Sequence, residues 1–539
     1  MTRRDFDELP GPDRQPQAVQ PGYGSVYPTP QPGSGPAPGN PYAQPPVQAA
    51  DFVRPPRRGP RGGTGVLVAA LVAALLALGG GSYILLRDGS GDAGDGDAAA
   101  PAAPAASASV DQGDGQGPGG PPFVFDPNAG IQPGEGRVWL VSNRTELAGS
   151  GASQHGPWRV GDAVIKAMYK EVTAYTATDG KEKWRLPLAT PLCGIPESPA
   201  PNGKIVVGVR EKDSATSQCT HLQQVDLATG QAGWKVEIPK EKAFDQAPEL
   251  RLAISGDTVA VARAAVVSGF SVTDGRKLFG TPSSGCTPAT VGGGAARLML
   301  VRDCFGQGSA DRQSVIEEID PATGAAKWSH QYAKGWNIGQ ILSVDPLVVS
   351  TYNTQEKVWN ITAFAADGKV RSQTNAAFGV SKRCNGWGSG SGDLHDCNAA
   401  VTDADTLYIA GGTPDATYPL HVDKPDEVIA VDLNTGQVKW RTTGPDGRVM
   451  FPLAIEEGKV VVYVDTDKGL SAAMAAIPTG GGRPQIFLQS PKNAKGPESA
   501  FYTSSVRLAW GEGRVFLLNG SVRSPEPKKV DHSLLSFGK

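Results

Sequence analysis

The sequence lacks the motifs that most readily announce chemistry. No C-x-x-C occurs, and the six histidines (155, 221, 330, 395, 421 and 532) are scattered along the chain. That excludes clustered zinc ligands of the usual spacing and haem attachment through C-x-x-C-H. There is no G-x-x-x-x-G-K-[ST], no G-x-S-x-G, no H-E-x-x-H and no kinase catalytic loop. The local signatures of nucleotide, ester and peptide chemistry are therefore missing. An excess of one charge is missing too: the formal net charge is −3 over 539 residues, so nothing global argues for nucleic acid. No cysteine precedes Cys193, which leaves no site for an N-terminal lipoprotein anchor.

Glycine and proline, by contrast, are abundant at 69 and 45, and unevenly spread. Residues 1–63 are rich in proline, in runs such as PTPQPGSGPAPGNPYAQPP. Such a composition cannot bury a core and predicts a disordered cytoplasmic tail, with Tyr23, Tyr27 and Tyr42 as contacts if it docks. Residues 64–87 follow as a membrane helix. Its centre, Val66–Leu86, is 21 residues without a charge. At about 1.5 Å per residue that length crosses a bilayer core of roughly 30 Å. Arg54, Arg57, Arg58 and Arg61 precede the span, so the positive-inside rule puts the N-terminus in the cytoplasm. A cleaved signal peptide is the alternative, but the apolar run is too long and stands too far from the N-terminus. Residues 88–135 read as a flexible extracytoplasmic linker. Its aspartates at 88, 92, 95 and 97 do not have the spacing of a calcium loop. The expected localisation is a single-pass cell-membrane protein with everything after residue 87 outside.

The six cysteines agree with that topology. Cys193, Cys219, Cys286, Cys304, Cys384 and Cys397 are even in number and all lie on the outer side. An oxidising compartment favours disulfides. Six cysteines permit fifteen pairings. Proximity alone selects Cys193–Cys219, Cys286–Cys304 and Cys384–Cys397.

Residues 136–539 carry a repeat. AYTATDGKEKW ends at Trp184, QVDLATGQAGW at Trp234, EEIDPATGAAKW at Trp328 and AVDLNTGQVKW at Trp440. In each, a glycine (180, 230, 324, 436) stands four residues before the tryptophan. Weaker copies place Gly275 before Phe279, Gly368 before Ser372 and Gly480 before Pro484. The residues ahead of each turn read as a strand. Asp226, Asp320 and Asp432 are placed to cap backbone N–H groups in an Asx-type turn, and the glycine supplies a positive φ. The aromatic carries more apolar surface than one small sheet can bury, so it must pack on a neighbouring sheet. Further strands stand upstream, in 203–211, 257–265, 405–412 and 458–465. About 45 residues per unit, all strand and turn, is the period of a β-propeller blade. Three strands after Gly480 and one at 136–143 complete one sheet together, which removes the open edges. The count is eight blades, with seven as the alternative.

This pattern resembles the pyrroloquinoline-quinone-type propeller repeat over roughly residues 137–537. Two functions are implied by the resemblance. Quinone-dependent dehydrogenases with this repeat hold the quinone and Ca²⁺ on the axis, with a disulfide between adjacent cysteines beneath it. This chain has no adjacent cysteine pair. The scaffold subunit of the outer-membrane protein assembly machinery is a non-enzymatic propeller of the same repeat. The Ala/Gly/Pro bias looks like that of a high-GC Gram-positive bacterium, which has no such machinery, so only a mode of action carries over. The expectation is an all-β, non-catalytic, cofactor-free binding or scaffold propeller with an envelope protein as partner. A quinone-dependent enzyme, or a sensor relaying to a partner kinase, is the alternative.

One spacing breaks the rhythm: 68 residues separate Gly368 from Gly436. The insertion contains KRCNGWGSGSGDLHDCN, bracketed by Cys384 and Cys397. Long loops on a rigid scaffold often carry function. Trp387, Asp393, His395 and Asp396 are the candidate partner contacts; a locally packed, disulfide-stabilised insertion is the plainer reading.

Overall fold

In the computed structural model, eight sheets, antiparallel except where Gly379–Ser381 meets His421–Val422, follow one another along the chain. The structure describes residues 125–539 except 148–150, 244, 246, 283–284, 306–311, 354, 375–377, 385–393, 395–396, 415–420, 423, 468, 502–505 and 526–529. The tail, the apolar span Val66–Leu86 and the linker up to 124 lie outside the described residues. Among the described residues, no helix is long and apolar enough to cross a membrane.

Blade 2 shows the plan. Leu192–Gly194, Lys204–Arg210, Cys219–Asp226 and Ala232–Glu237 pair in that order. The middle strands are buried almost throughout, as in Lys204–Arg210, because neighbouring blades cover both faces. The fourth strand alternates between exposed and half-buried residues, so it is the outer edge. The first strands of successive blades touch one another from blade 3 round to blade 1, which makes them the inner ring. Eight such sheets form the propeller, and the seven-bladed alternative is set aside.

Blade 8 closes the ring from both chain ends. Arg507–Gly511, Arg514–Leu518 and His532–Gly538 are joined by Arg137–Ser142 as the outer strand, with Val138 opposite Phe537 and Leu140 opposite Leu535. The described residues begin ahead of that strand, at 125. Val138 N–H donates to Asn128 Oδ1 and Asn128 Nδ2 to the Val138 carbonyl, which ties the end of the linker to the closing strand.

The third-to-fourth turns are built as the D-x-x-T-G sequence requires. Asp226 Oδ1 accepts from Ala228 N at 3.0 Å and Thr229 N at 3.1 Å, and Gly230 N donates to the Asp226 carbonyl at 2.8 Å. Asp320 and Asp432 repeat the arrangement. Gly180, Gly230, Gly275, Gly324, Gly368 and Gly436 all have φ between 70° and 81°. The seventh copy corrects the sequence frame. Gly481, with φ 98°, takes the left-handed place, and Gly480 does not. The turn there is longer, and Gln485, not Pro484, pairs with Ala476 where Trp440 pairs with Ala430 in blade 6.

The aromatic of each blade seats on the turn glycine of the next. A Cβ built on Gly180, Gly230, Gly275, Gly324, Gly368 or Gly481 would lie 3.0 Å or closer to the ring of Trp139, Trp184, Trp234, Phe279, Trp328 or Trp440 respectively. Glycine is thus needed twice, for its φ and for the absence of a side chain under a ring. At the seam, Leu488 sits where a Cβ on Gly136 would meet both it and the Gly538 backbone at 3.0 Å. The chain ends thereby replace the missing turn of blade 8. Ser372 in blade 5 is the exception in chemistry. Its hydroxyl donates to the Leu433 carbonyl at 2.7 Å, three residues before Gly436. Trp139 and Trp234 donate to the equivalent carbonyls of Ala177 and Val272.

Candidate functional site

The two ends of the propeller are unlike. One face carries the third-to-fourth turns and mostly short first-to-second turns such as 256–257 and 512–513. The other face carries longer connections, 211–218, 305–312, 413–426, 465–472 and 519–531. The disulfides belong to this long-loop face. Cys193–Cys219 joins the first strand of blade 2 to the start of its third, and Cys286–Cys304 joins the lead-in of blade 4 to the end of its second strand. Cys384–Cys397 closes the insertion in blade 6.

That insertion interrupts an inner strand. Gly379–Ser381 pairs with Gly411 and Gly412, and Ala400–Thr402 pairs with Leu407 to Ile409, so the first strand of blade 6 leaves the sheet and returns to it. Trp387, Asp393, His395 and Asp396 lie outside the described residues. The root and one internal anchor are described. Leu394 is buried against Ile341 of blade 5 and beside Gly292 of blade 4, and its carbonyl accepts from Ile341 N at 2.7 Å. Arg383 lies over the Phe451 ring of blade 7 at 4.2 Å and donates to the Val506 carbonyl at the entry to blade 8. Blades 4 and 8 stand opposite each other in a ring of eight. The two described anchors, Leu394 and Arg383, therefore contact opposite sides of the ring. Leu394 was legible as the lone aliphatic residue in a Gly/Ser/Asp loop; Arg383 had no such signal.

A second tie links the consecutive blades 8, 1 and 2. Arg507 of blade 8 pairs with Glu197 of blade 2 at 2.9 Å, and Trp158 Nε1 of blade 1 donates to the Glu197 carbonyl at 2.8 Å. His155 lies beside this tie. Burial, aided by the Arg507 charge, pushes its imidazole down to about 3, so it is neutral at ordinary pH.

From the tight-turn face a cavity of about 520 Å³ enters the axis. Its wall includes the first-to-second turn of blade 4 (Gly294–Arg297), Ser343 and Asp345 of blade 5, Thr402 of blade 6 and Ile455 of blade 7, and it reaches Cys397. The Ser343 and Thr402 hydroxyls are hydrogen-bonded at 2.9 Å. Arg297 is paired with Glu318 at 2.6 Å. The cavity is thus a well lined by inner-strand and turn residues of blades 4 to 7. No group of three or more His, Cys, Asp or Glu among the described residues is arranged to hold a metal ion. The well wall, with one carboxylate and a hydroxyl pair, does not fit a Ca²⁺–quinone pair.

Fold and repeat together define an eight-bladed β-propeller whose blade repeat is similar to the pyrroloquinoline-quinone type. Residues 129–359 match the family model described as outer membrane protein assembly factor BamB. Comparison with curated protein sequences finds no match. Among solved structures, BamB from Moraxella catarrhalis is similar at 16% identity, with 74% of this chain and 97% of that chain covered and a TM-score of 0.40. A europium-containing methanol dehydrogenase is similar at 12% identity, with 75% and 93% covered and a TM-score of 0.43. The quinohemoprotein alcohol dehydrogenase ADHIIG from Pseudomonas putida HK5 is similar at 12% identity, with 74% and 76% covered and a TM-score of 0.39.

Proposed function

We propose that this chain is a non-catalytic binding scaffold, tethered to the cell membrane through residues 64–87, that presents the long-loop face of its propeller to a protein partner at the cell envelope. The observation that carries the reading is the asymmetry of the two faces. Two disulfides stiffen the long-loop face, and a third closes the insertion that interrupts the inner strand of blade 6. Stiff loops lose little entropy on binding, which favours recognition by a preformed surface. The BamB description of the matching family model supports the same class of role.

The test is crosslinking in intact cells, followed by affinity capture of the full-length protein and mass spectrometry. The expected result is a reproducible envelope protein that disappears when residues 384–397 are replaced by a short Gly/Ser turn. Absence of any such protein, with the propeller shown to be folded, overturns the scaffold.

A further inference from the structure

Behind the root of the blade 6 insertion lies a cluster of buried charged groups that the binding role does not use. Glu498 sits in the short helix Lys495–Ser499, within the connector from blade 7 to blade 8, and is 1% exposed. Its Oε2 accepts from Ala472 N at 3.0 Å, and the Ser490 hydroxyl is close enough to act on the carboxyl as a donor. Arg448, 2% exposed, donates from Nη1 to the Ser471 carbonyl at 2.9 Å, next in sequence to Ala472, and its Nε has no partner. Asp465, at the end of the second strand of blade 7, accepts from Thr466 N at 2.8 Å and from the Tyr463 hydroxyl at 3.3 Å. The Arg383 charge of blade 6 favours the ionised form of Asp465, and the Asp465 charge in turn disfavours ionisation of Glu498. The connector itself adds Lys492 and Lys495.

Arg383 ties this cluster to the axis. It adjoins Cys384 in the chain, stacks on Phe451 and holds the Val506 carbonyl just beyond the connector. One guanidinium therefore links the staple, the connector and the buried carboxyls.

We propose that the Glu498 carboxyl is a proton-controlled latch: neutral, it holds the blade 7–8 connector closed and Arg383 in its seat; ionised, it loosens both, together with the Cys384–Cys397 staple. The energetics follow from burial. An ionised carboxylate there is cut off from water, has only the Ala472 amide and the Ser490 hydroxyl as donors, lies near Asp465 and has Arg448 as a compensating charge. Burial raises the Glu498 carboxyl to about 7. The folded protein then binds a proton that the unfolded chain releases near the ordinary carboxyl range. Stability of the segment is complete at acid pH and falls as the pH rises towards about 7, with no further change above it.

The test uses the full-length protein and a phosphine reductant. The reduction rate of each disulfide is followed by differential alkylation and mass spectrometry from about pH 5.5 to about pH 8.5, either side of the titration. Cys193–Cys219, distant from the cluster, is the internal reference. The expected result is that the rate at Cys384–Cys397 rises about threefold or more relative to the reference, and that Glu498→Gln holds the ratio at its acid value. Hydrogen exchange of amides 490–500 in the unmodified protein gives a second readout that needs no variant. A ratio independent of pH, a Gln variant with the same pH profile, or connector exchange unaffected beyond the intrinsic pH effect overturns the latch.

Discussion

Gly230 and Gly480 look alike in the sequence, each the glycine of a T-G turn, and the structure separates them completely. Gly230 has φ 76° and the Trp184 ring against its Cα; Gly480 is not in the left-handed region, and a Cβ on it would meet nothing within 4 Å. Gly230→Ala is expected to destabilise the propeller by about 1–3 kcal/mol, from backbone strain and a displaced ring. Gly480→Ala is expected to stay within about 0.5 kcal/mol, as an exposed change without strain does. Denaturant unfolding of the two variants side by side checks both. Ser372→Ala, which removes the hydroxyl bond to Leu433, is expected to cost about 0.5–1.5 kcal/mol in the same measurement. Ser372→Trp, although it restores the repeat consensus, is expected to destabilise. The backbone carbonyl of Gln373 already lies against Gly436, where other blades leave room for a ring.

At the scale of elements, buried ion pairs decide which connections are rigid. The segment between blades 2 and 3 is held by Arg263 and Asp245, whose side chains are 3% and 0% exposed and are bonded at 2.7 and 3.1 Å. Asp245→Asn leaves a buried guanidinium without its anion and is expected to cost about 3–5 kcal/mol, read as a drop in unfolding midpoint. Nearby, burial tends to raise the Glu241 carboxyl, but hydrogen bonds from Lys277, Thr281 and Ser268 outweigh it and hold the group down at about 2. Its stabilisation is present above the ordinary carboxyl range and is lost as the pH falls towards about 2, the opposite sign to Glu498. Glu241→Gln is therefore expected to flatten the acid limb of the stability curve, and Glu498→Gln the limb between about pH 4.5 and 7. Thermal unfolding across pH separates them.

For the whole molecule, the ring is closed by Arg137–Ser142 alone on the N-terminal side. Deleting that strand uncovers the His532–Gly538 edge and leaves Gly180 without the Trp139 ring. An open sheet edge of this kind recruits other chains. The expected outcome is aggregation, seen by size-exclusion chromatography with light scattering. The disulfides act on one face only, so reducing all three is expected to raise hydrogen exchange in the long-loop connections and to leave the D-x-x-T-G turns protected.

The blade period, the turns and the seam were legible because each is written locally. An aspartate caps the N–H groups two and three residues on, a glycine takes a positive φ, and an aromatic follows at fixed spacing. Trp139 and Leu488 escaped that frame because their partners are far away in sequence: Trp139 has no turn ahead of it, and Leu488 follows a lengthened loop. Cys384–Cys397 was legible by proximity. That its loop leaves an inner strand, and that Leu394 and Arg383 carry it towards opposite blades, was not. Eight sheets must first close into a ring before any strand becomes inner or any two blades face each other. By itself, then, the sequence determined the repeat, its turn chemistry and the closing of the chain ends into one sheet, since these depend on near neighbours and on periodicity. Only the tertiary structure decided the inequality of the two faces, the tie between blades 8, 1 and 2 and the meeting of buried Glu498 with Asp465 and Arg383. Those depend on groups brought together from separate blades, where burial, not spacing, sets their charge.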